Sequence, residues 1–264
     1  MDEPLVRRLL RAQFPEWGDL PLRPIEPSGT DHTLFRLGDD LVVRVPIVDR
    51  VTEQAQREAT WVPFLAPQLP LEVPIPVALG RPGEGLPWAW SIVRWIEGEH
   101  ATVDNLDLDR AAVDLAHFVR ALHACDPTGG PPAGQPTAWR GAPLSVWEGR
   151  LDPWIAKLEG QPWIAEAVAA FEEARAAPEW DGPPVWFHGD LSGNLIARGR
   201  GLVGVIDSGY GVGDPACDLM PGWILFRGTT RQRFFDEVGL DDATITRSRG
   251  WAIGPAIIGM SYYR

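Results

Sequence analysis

The stretch Trp186 to Leu219, WFHGDLSGNLIARGRGLVGVIDSGYGVGDPACDL, gathers the residues whose types and spacing suit chemistry. Asp190 stands four positions before Asn194, and Asp207 ends an apolar run thirteen positions further on. An amide oxygen and a carboxylate are hard ligands of the kind Mg²⁺ takes, together with waters and substrate phosphates. A second carboxylate beside them can accept a proton from a hydroxyl. Phosphoryl transfer divides its labour in this way, with metal ligands on the phosphates and an aspartate on the nucleophile. The plain alternative is three polar residues that merely end strands.

Which reading holds depends on the elements that carry them. Val185 to Phe187, Leu195 to Ala197 and Leu202 to Ile206 read as three short strands. If the last two pair as a hairpin across the turn RGRG, Asn194 comes level with Asp207 and Asp190 emerges beside both. Upstream, Leu5, Val6, Leu9, Leu10 and Phe14 recur at helical spacing and predict a first helix ending near Phe14 and Pro15. The Pro-rich PLRPIEP reads as a connection. SGTDHTLFRLGDDLVVRVP then reads as a small-residue loop, a strand from Thr33 to Leu37, a Gly-Asp-Asp turn and a strand from Leu41 to Val45. A helix is expected over Val51 to Leu65 until Pro63 and Pro67 disrupt it, then strands over Ile75 to Leu79 and Trp90 to Ile96. Beyond Glu97 the pattern is helical: DLDRAAVDLAHFVRALHACDP, segments around Leu144 to Leu158 and Pro162 to Ala177, and the tail from Arg231. The whole is α+β, a small mixed lobe followed by a mainly helical one.

Composition narrows the class of partner. The chain has 264 residues, 45% of them hydrophobic, which is ample for a core. A net charge of -12 argues against nucleic acid, which needs a concentrated basic surface. The longest uncharged apolar stretch, Gly250 to Tyr263, is too short for a membrane span, and MDEPLVRRLL lacks an apolar signal core. Cys125 and Cys217 make neither a disulfide framework nor a zinc site, so a reducing cytoplasm is expected. No obligate protein partner is evident. Of 24 basic residues only Lys157 is a lysine, so a cation needed for chemistry is most simply an arginine.

HGDLSGN followed by VIDSGYGVGDPACDL resembles the catalytic and metal-binding segments of the aminoglycoside phosphotransferase family, small-molecule kinases with a two-lobed protein-kinase-like fold. The resemblance implies lobes of residues 1–97 and 98–264, with ATP or GTP and Mg²⁺ between them. It implies Asp190 as catalytic base, Asn194 and Asp207 as magnesium ligands, and a structural role for Asp214 and Asp218. It further implies that the loop Ser28, Gly29 and Thr30 covers the phosphates, that Arg44 reaches them, and that Glu58 holds Arg44. SIVRWIEG resembles the hinge, with the Arg94 carbonyl and the Ile96 amide facing the base. His188 is expected to organise the backbone beneath the loop. Gly189 stands where protein kinases carry the arginine that reads phosphorylation, which implies constitutive activity.

Two departures bear on these assignments. Arg44 stands where the family usually has lysine, and HGDLSGN is one residue shorter between Asp190 and Asn194 than in most relatives. The shortening is expected either to tighten the loop at Gly193, which accepts unusual dihedrals, or to shift Asn194 off the metal. The acceptor implied is a hydroxylated small molecule: an aminoglycoside or other antibiotic, or alternatively a nucleoside, sugar or amino alcohol. The acidic residues Asp104, Asp107, Asp109, Asp236, Glu237, Asp241 and Asp242 are candidates for a cationic acceptor, against the plainer reading of solvated helix faces. A catalytically silent nucleotide-binding module and a metal-dependent hydrolase are the alternatives from other classes.

Overall fold

The structure is a computed structural model and describes residues 1–26, 31–51, 53–207 and 209–262. Its first helix, α1 (Glu3–Gln13), begins where Asp2 accepts the Leu5 N–H at 3.0 Å and ends before Pro15. A five-stranded antiparallel sheet follows, built from β1 (Leu22–Pro24), β2 (His32–Leu37), β3 (Leu41–Pro46), β4 (Pro76–Gly80) and β5 (Trp90–Arg94) in the order β1-β2-β3-β5-β4. The helix α2 (Gln54–Leu65) lies between β3 and β4 in the chain. Side chains alternate across a strand. Val43 and Val45 therefore join Phe35, Leu37 and Ile92 beneath Val6, Leu9 and Leu10 of α1. Arg44, between them, is sent to the opposite face.

The second part is mainly helical around α3 (Leu108–Ala124), capped by Asp107. Ala111, Leu115, Phe118, Val119 and Leu122 of α3 are buried in one apolar cluster with Trp186, Leu195 and Val205. In chain order this part comprises β6 (Glu99–His100), α3, α4 (Asp152–Lys157), α5 (Ile164–Ala176), β7 (Val185–Phe187), β8 (Leu195–Arg198), β9 (Gly201–Val205), β10 (Gly211–Gly213), α6 (Pro221–Ile224), α7 (Gly228–Val238) and α8 (Asp242–Tyr262). β6, β8 and β9 form one small sheet, and β7 pairs with β10. Two backbone bonds tie the parts together: Glu72 N–H to Val203 O and Val205 N–H to Glu72 O, both 2.9 Å. They anchor β9, which delivers Asp207. Among the described residues no helix is long and apolar enough to cross a membrane.

Several expectations need correction. The Pro-rich connection contains β1, an edge strand where Pro24 has no ladder bond to spoil. α2 begins at Gln54, after a short 3₁₀ turn at Asp49–Val51, and runs through Pro63 to Leu65. Pro63 has no N–H for the Ala59 carbonyl, and the helix ends two residues later. The segment expected as one helix from Leu144 to Leu158 is a 3₁₀ turn (Leu144–Trp147) and then α4, interrupted at Gly149 with φ +67°.

Candidate active site

Arg44 is the hub of the first half of the site. Its Nη1 donates to Glu58 Oε2 at 2.7 Å, and its Nη2 donates to Asp207 Oδ1 at 3.1 Å. The Arg44 and Glu58 side chains are 9% and 5% exposed, so the pair is buried. Gln54, one helical turn before Glu58 on α2, donates to Glu58 Oε1 at 3.0 Å and to Asp207 Oδ1 at 3.2 Å. Burial alone would raise the Asp207 carboxyl; Arg44, His32 and the Gln54 bond outweigh it and hold the group below the ordinary carboxylate range. Burial likewise opposes the Arg44 charge, but Glu58 and Asp207 reverse this and raise its pKa. Asp207 takes this place with φ +55°, a left-handed conformation uncommon for a non-glycine residue.

The second half is the loop after β7. Asp218, fully buried, accepts the backbone N–H groups of His188 (3.0 Å) and Gly189 (2.7 Å) and lies 3.2 Å from His123 Nε2. The His188 ring has Nδ1 against the Asp190 N–H at 3.2 Å and Nε2 against Ile206 O at 3.0 Å. Nδ1 is thus an acceptor and Nε2 carries the proton. Burial, the largest influence on this imidazole, pushes its pKa down and keeps it neutral. His188 accordingly braces the backbone from below. Asn194 Nδ2 donates to Asp190 O at 2.9 Å, and Asn194 O accepts Ile206 N–H at 2.9 Å, one residue before Asp207. The hairpin register Leu195↔Val205 thus puts Asn194 opposite Ile206, one residue before Asp207. Gly193 does not take the left-handed conformation; Gly189 does, with φ +83°.

Arg94 ends β5, exposed, and Ile96 is buried. The Trp95 N–H donates to Asp40 O at 2.8 Å, so alternation turns the Arg94 carbonyl and the Ile96 amide away from β3. The expected phosphate loop, Ser28, Gly29 and Thr30, lies outside the described residues. Asp214 is bound to Arg247, at 2.8 Å to Nε and 3.2 Å to Nη2, and caps the turn at Ala216. Several of the acidic candidates are engaged locally: Asp107 caps α3, Asp241 accepts the Thr244 N–H, Asp109 accepts from Thr230, Asp236 from Gln232, and Glu237 pairs with His117. The expectation of a cation-binding acidic surface gains nothing from them.

Three residues of the site were absent from the sequence reading: Gln54, His32 and Arg140. Gln54 sits one turn before Glu58, a spacing that could have flagged it. His32 is buried on β2 and feels both Arg44 and Asp207. Arg140 donates to Asp190 Oδ2 at 2.9 Å and comes from a loop with no motif to announce it.

The fold that carries this site is shared with known proteins. A model of the phosphotransferase enzyme family matches residues 22–252. The chain belongs to that family. Its fold is shared with the GDP complex of aminoglycoside 2'-phosphotransferase-IIIa, at TM-score 0.73 and 19% identity over 99% of this chain and 91% of that one. It is shared also with an ADP-bound aminoglycoside phosphotransferase, APH(2'')-Ib (TM-score 0.67, 22% identity, 98% and 92% covered), and with a macrolide 2'-phosphotransferase from Brachybacterium faecium (0.68, 24%, 99% and 92%). Among curated proteins none matches the chain. The phosphotransferase has the two-lobed kinase-like α+β fold of these enzymes and is a small-molecule kinase.

The phosphotransferase's oxygen donors fit magnesium. The Asn194 amide nitrogen is engaged by Asp190 O, which leaves Oδ1 as the free end of that side chain. The bonds that Arg44 and Gln54 make to Asp207 fall on Oδ1 and leave Oδ2. Among the described residues no group of three or more His, Cys, Asp or Glu gathers as a metal cage.

Proposed function

We propose that this phosphotransferase moves the γ-phosphate of ATP or GTP to a hydroxyl of a small molecule, with an aminoglycoside or another hydroxylated antibiotic as the leading acceptor class. The observation that carries the reading is the convergence of Arg44, Glu58 and Asp207 from three separate elements within one bonded network, with Asn194 and Asp190 on the adjoining loop. Structures of the same fold are described as complexes with GDP, with ADP, with streptomycin and ATP, and with gentamicin. In this reading residues up to about Glu97 bind the nucleotide and the remainder carries the catalytic loop and acceptor pocket.

The reading gives each residue a role. Arg44, held by Glu58, steadies the α- and β-phosphates with a planar cation able to grip two oxygens. Arg94 and Ile96 offer backbone groups to the base. Asn194 and Asp207 would hold Mg²⁺, which when bound neutralises charge developing on the phosphates. Asp190 orients the acceptor hydroxyl and takes its proton. The acceptor oxygen forms its bond to Pγ as the Pγ–O bridge to the β-phosphate breaks, and the nucleoside diphosphate leaves.

The test is ADP release from MgATP across aminoglycosides, macrolides, nucleosides and sugars, with mass spectrometry of the acceptor for the added phosphate. Asp190→Asn should lower turnover by about 10²–10⁴-fold, the usual contribution of a positioned base, while ADP binding persists. Nucleotide binding without turnover on any acceptor would instead mark a binding module. Ester hydrolysis without nucleotide would mark a hydrolase.

A further inference from the structure

The loop that brings Arg140 to Asp190 is built with unusual constraint. Ala138 and Trp139, immediately before it, are consecutive non-glycine residues at φ +51° and +65°. Such conformations cost energy and persist where the surroundings enforce them, often at functional sites. Thr137, buried, ties the turn through Oγ1 to Gly134 O and Arg140 O, and the Arg150 guanidinium lies 4.6 Å from the Trp139 ring. Behind Arg140, Gly141 (φ +74°) presses on Phe187 so closely that a Cβ there would lie 2.0 Å from Cε1. The Asp214 N–H donates to Gly141 O at 2.8 Å. The arginine stem then crosses Gly189, where a Cβ would lie 2.6 Å from Arg140 Cδ. Absence of a side chain at Gly189 is what lets the guanidinium reach Asp190 Oδ2 at 2.9 Å. The two side chains are 24% and 39% exposed, so the pair sits at the rim of the cleft.

We propose that Arg140 is a positioning residue for phosphoryl transfer: it holds Oδ2 of Asp190 and so presents Oδ1 to the acceptor hydroxyl. Among the described residues Oδ1 otherwise receives only a long 3.3 Å bond from Ser192 Oγ. The proposal rests on Asp190 being the base, and its test separates the two.

Arg140→Met keeps the stem over Gly189 and removes the charge; Arg140→Lys restores a charge at the same site. Crystal structures of both variants should show the Asp190 carboxylate rotated in Arg140→Met and returned in Arg140→Lys. In turnover with MgATP, using water and the acceptors of the screen, Arg140→Met should lower kcat about 10–100-fold, as expected for a misplaced reacting group. MgADP affinity should be unchanged, Arg140→Lys should recover part of the loss, and Arg140→Met/Asp190→Ala should be no slower than Asp190→Ala. An Asp190 carboxylate that keeps its orientation in Arg140→Met overturns the proposal, as does kcat within twofold of the wild type while Asp190→Ala is inactive. If Asp190→Ala keeps full turnover, the base assignment fails instead, and the carboxylate orientation alone decides the role of Arg140.

Discussion

Glu58 and Arg44 form a buried ion pair. Removing one partner of such a pair strands the other charge out of water and costs about 3–5 kcal/mol. Because Asp207 still faces Arg44, Glu58→Ala should fall at the lower end, about 3 kcal/mol in urea unfolding, and should weaken ADP binding as Arg44 swings free. His32 makes a second prediction. Burial, then Arg44, push its imidazole down to about 4 from 6.5. Between these values the unfolded chain takes up the proton first, so the contribution to stability is full above pH 6.5 and is lost on acidification toward pH 4. At 1.36 kcal/mol per pKa unit the whole window is worth roughly 3 kcal/mol. His32→Gln, compared with the wild type by urea unfolding at pH 7.5 and 5.0, should lose about 2 kcal/mol less over that interval. Asp207, whose pKa is depressed, loses its contribution only below the ordinary carboxylate value of 3.8, so the two windows separate.

At the scale of elements, the C-terminal helix α8 is tied to the turn after β10 by Arg247 and Asp214, whose side chains are 3% and 6% exposed. Arg247→Met should cost about 3–5 kcal/mol in urea unfolding, because it leaves a buried carboxylate with only its cap bond. Arg247→Met/Asp214→Asn should cost less than the single change, since no buried charge is then stranded. The longer elements around the site were readable from pattern. β3 was visible because LVVRV is apolar except at one alternating position, and β8 and β9 because RGRG separates two apolar runs. β1, β6 and β10 were not: LRP, EH and GVG are as short as the VWF of β7 but lack its run of large apolar side chains. Their existence depends on the neighbours they pair with.

For the whole molecule, the two parts meet through the Arg44–Asp207 bond and the Glu72 bridge to β9. A nucleotide seated between them should stabilise both. At a hundredfold excess over Kd the stabilisation is about 2.7 kcal/mol. The thermal midpoint should therefore rise with MgADP, rise less with ADP and EDTA, and show no magnesium dependence in Asp207→Asn. An unchanged magnesium dependence in that variant would remove Asp207 from the metal site.

The sequence by itself determined the order of the parts and the local spacing of the residues assigned to the site. Asp190, Asn194 and Asp207 are within twenty residues of one another, and a hairpin register is a local property that spacing can specify. Arg44 and Glu58 were found because a strand and the helix after it are neighbours in the chain. Only the tertiary structure decided which distant donors face Asp190 and Asp207. Arg140 meets Asp190 across 50 residues and Gln54 meets Asp207 across 153. Such contacts arise from how separate elements pack, and a charge's partner at that range leaves no periodic trace in the chain. The loop after β7 is a further instance: the hairpin with β9, held from the other part by Glu72, pairs Asn194 with Ile206, one residue before Asp207.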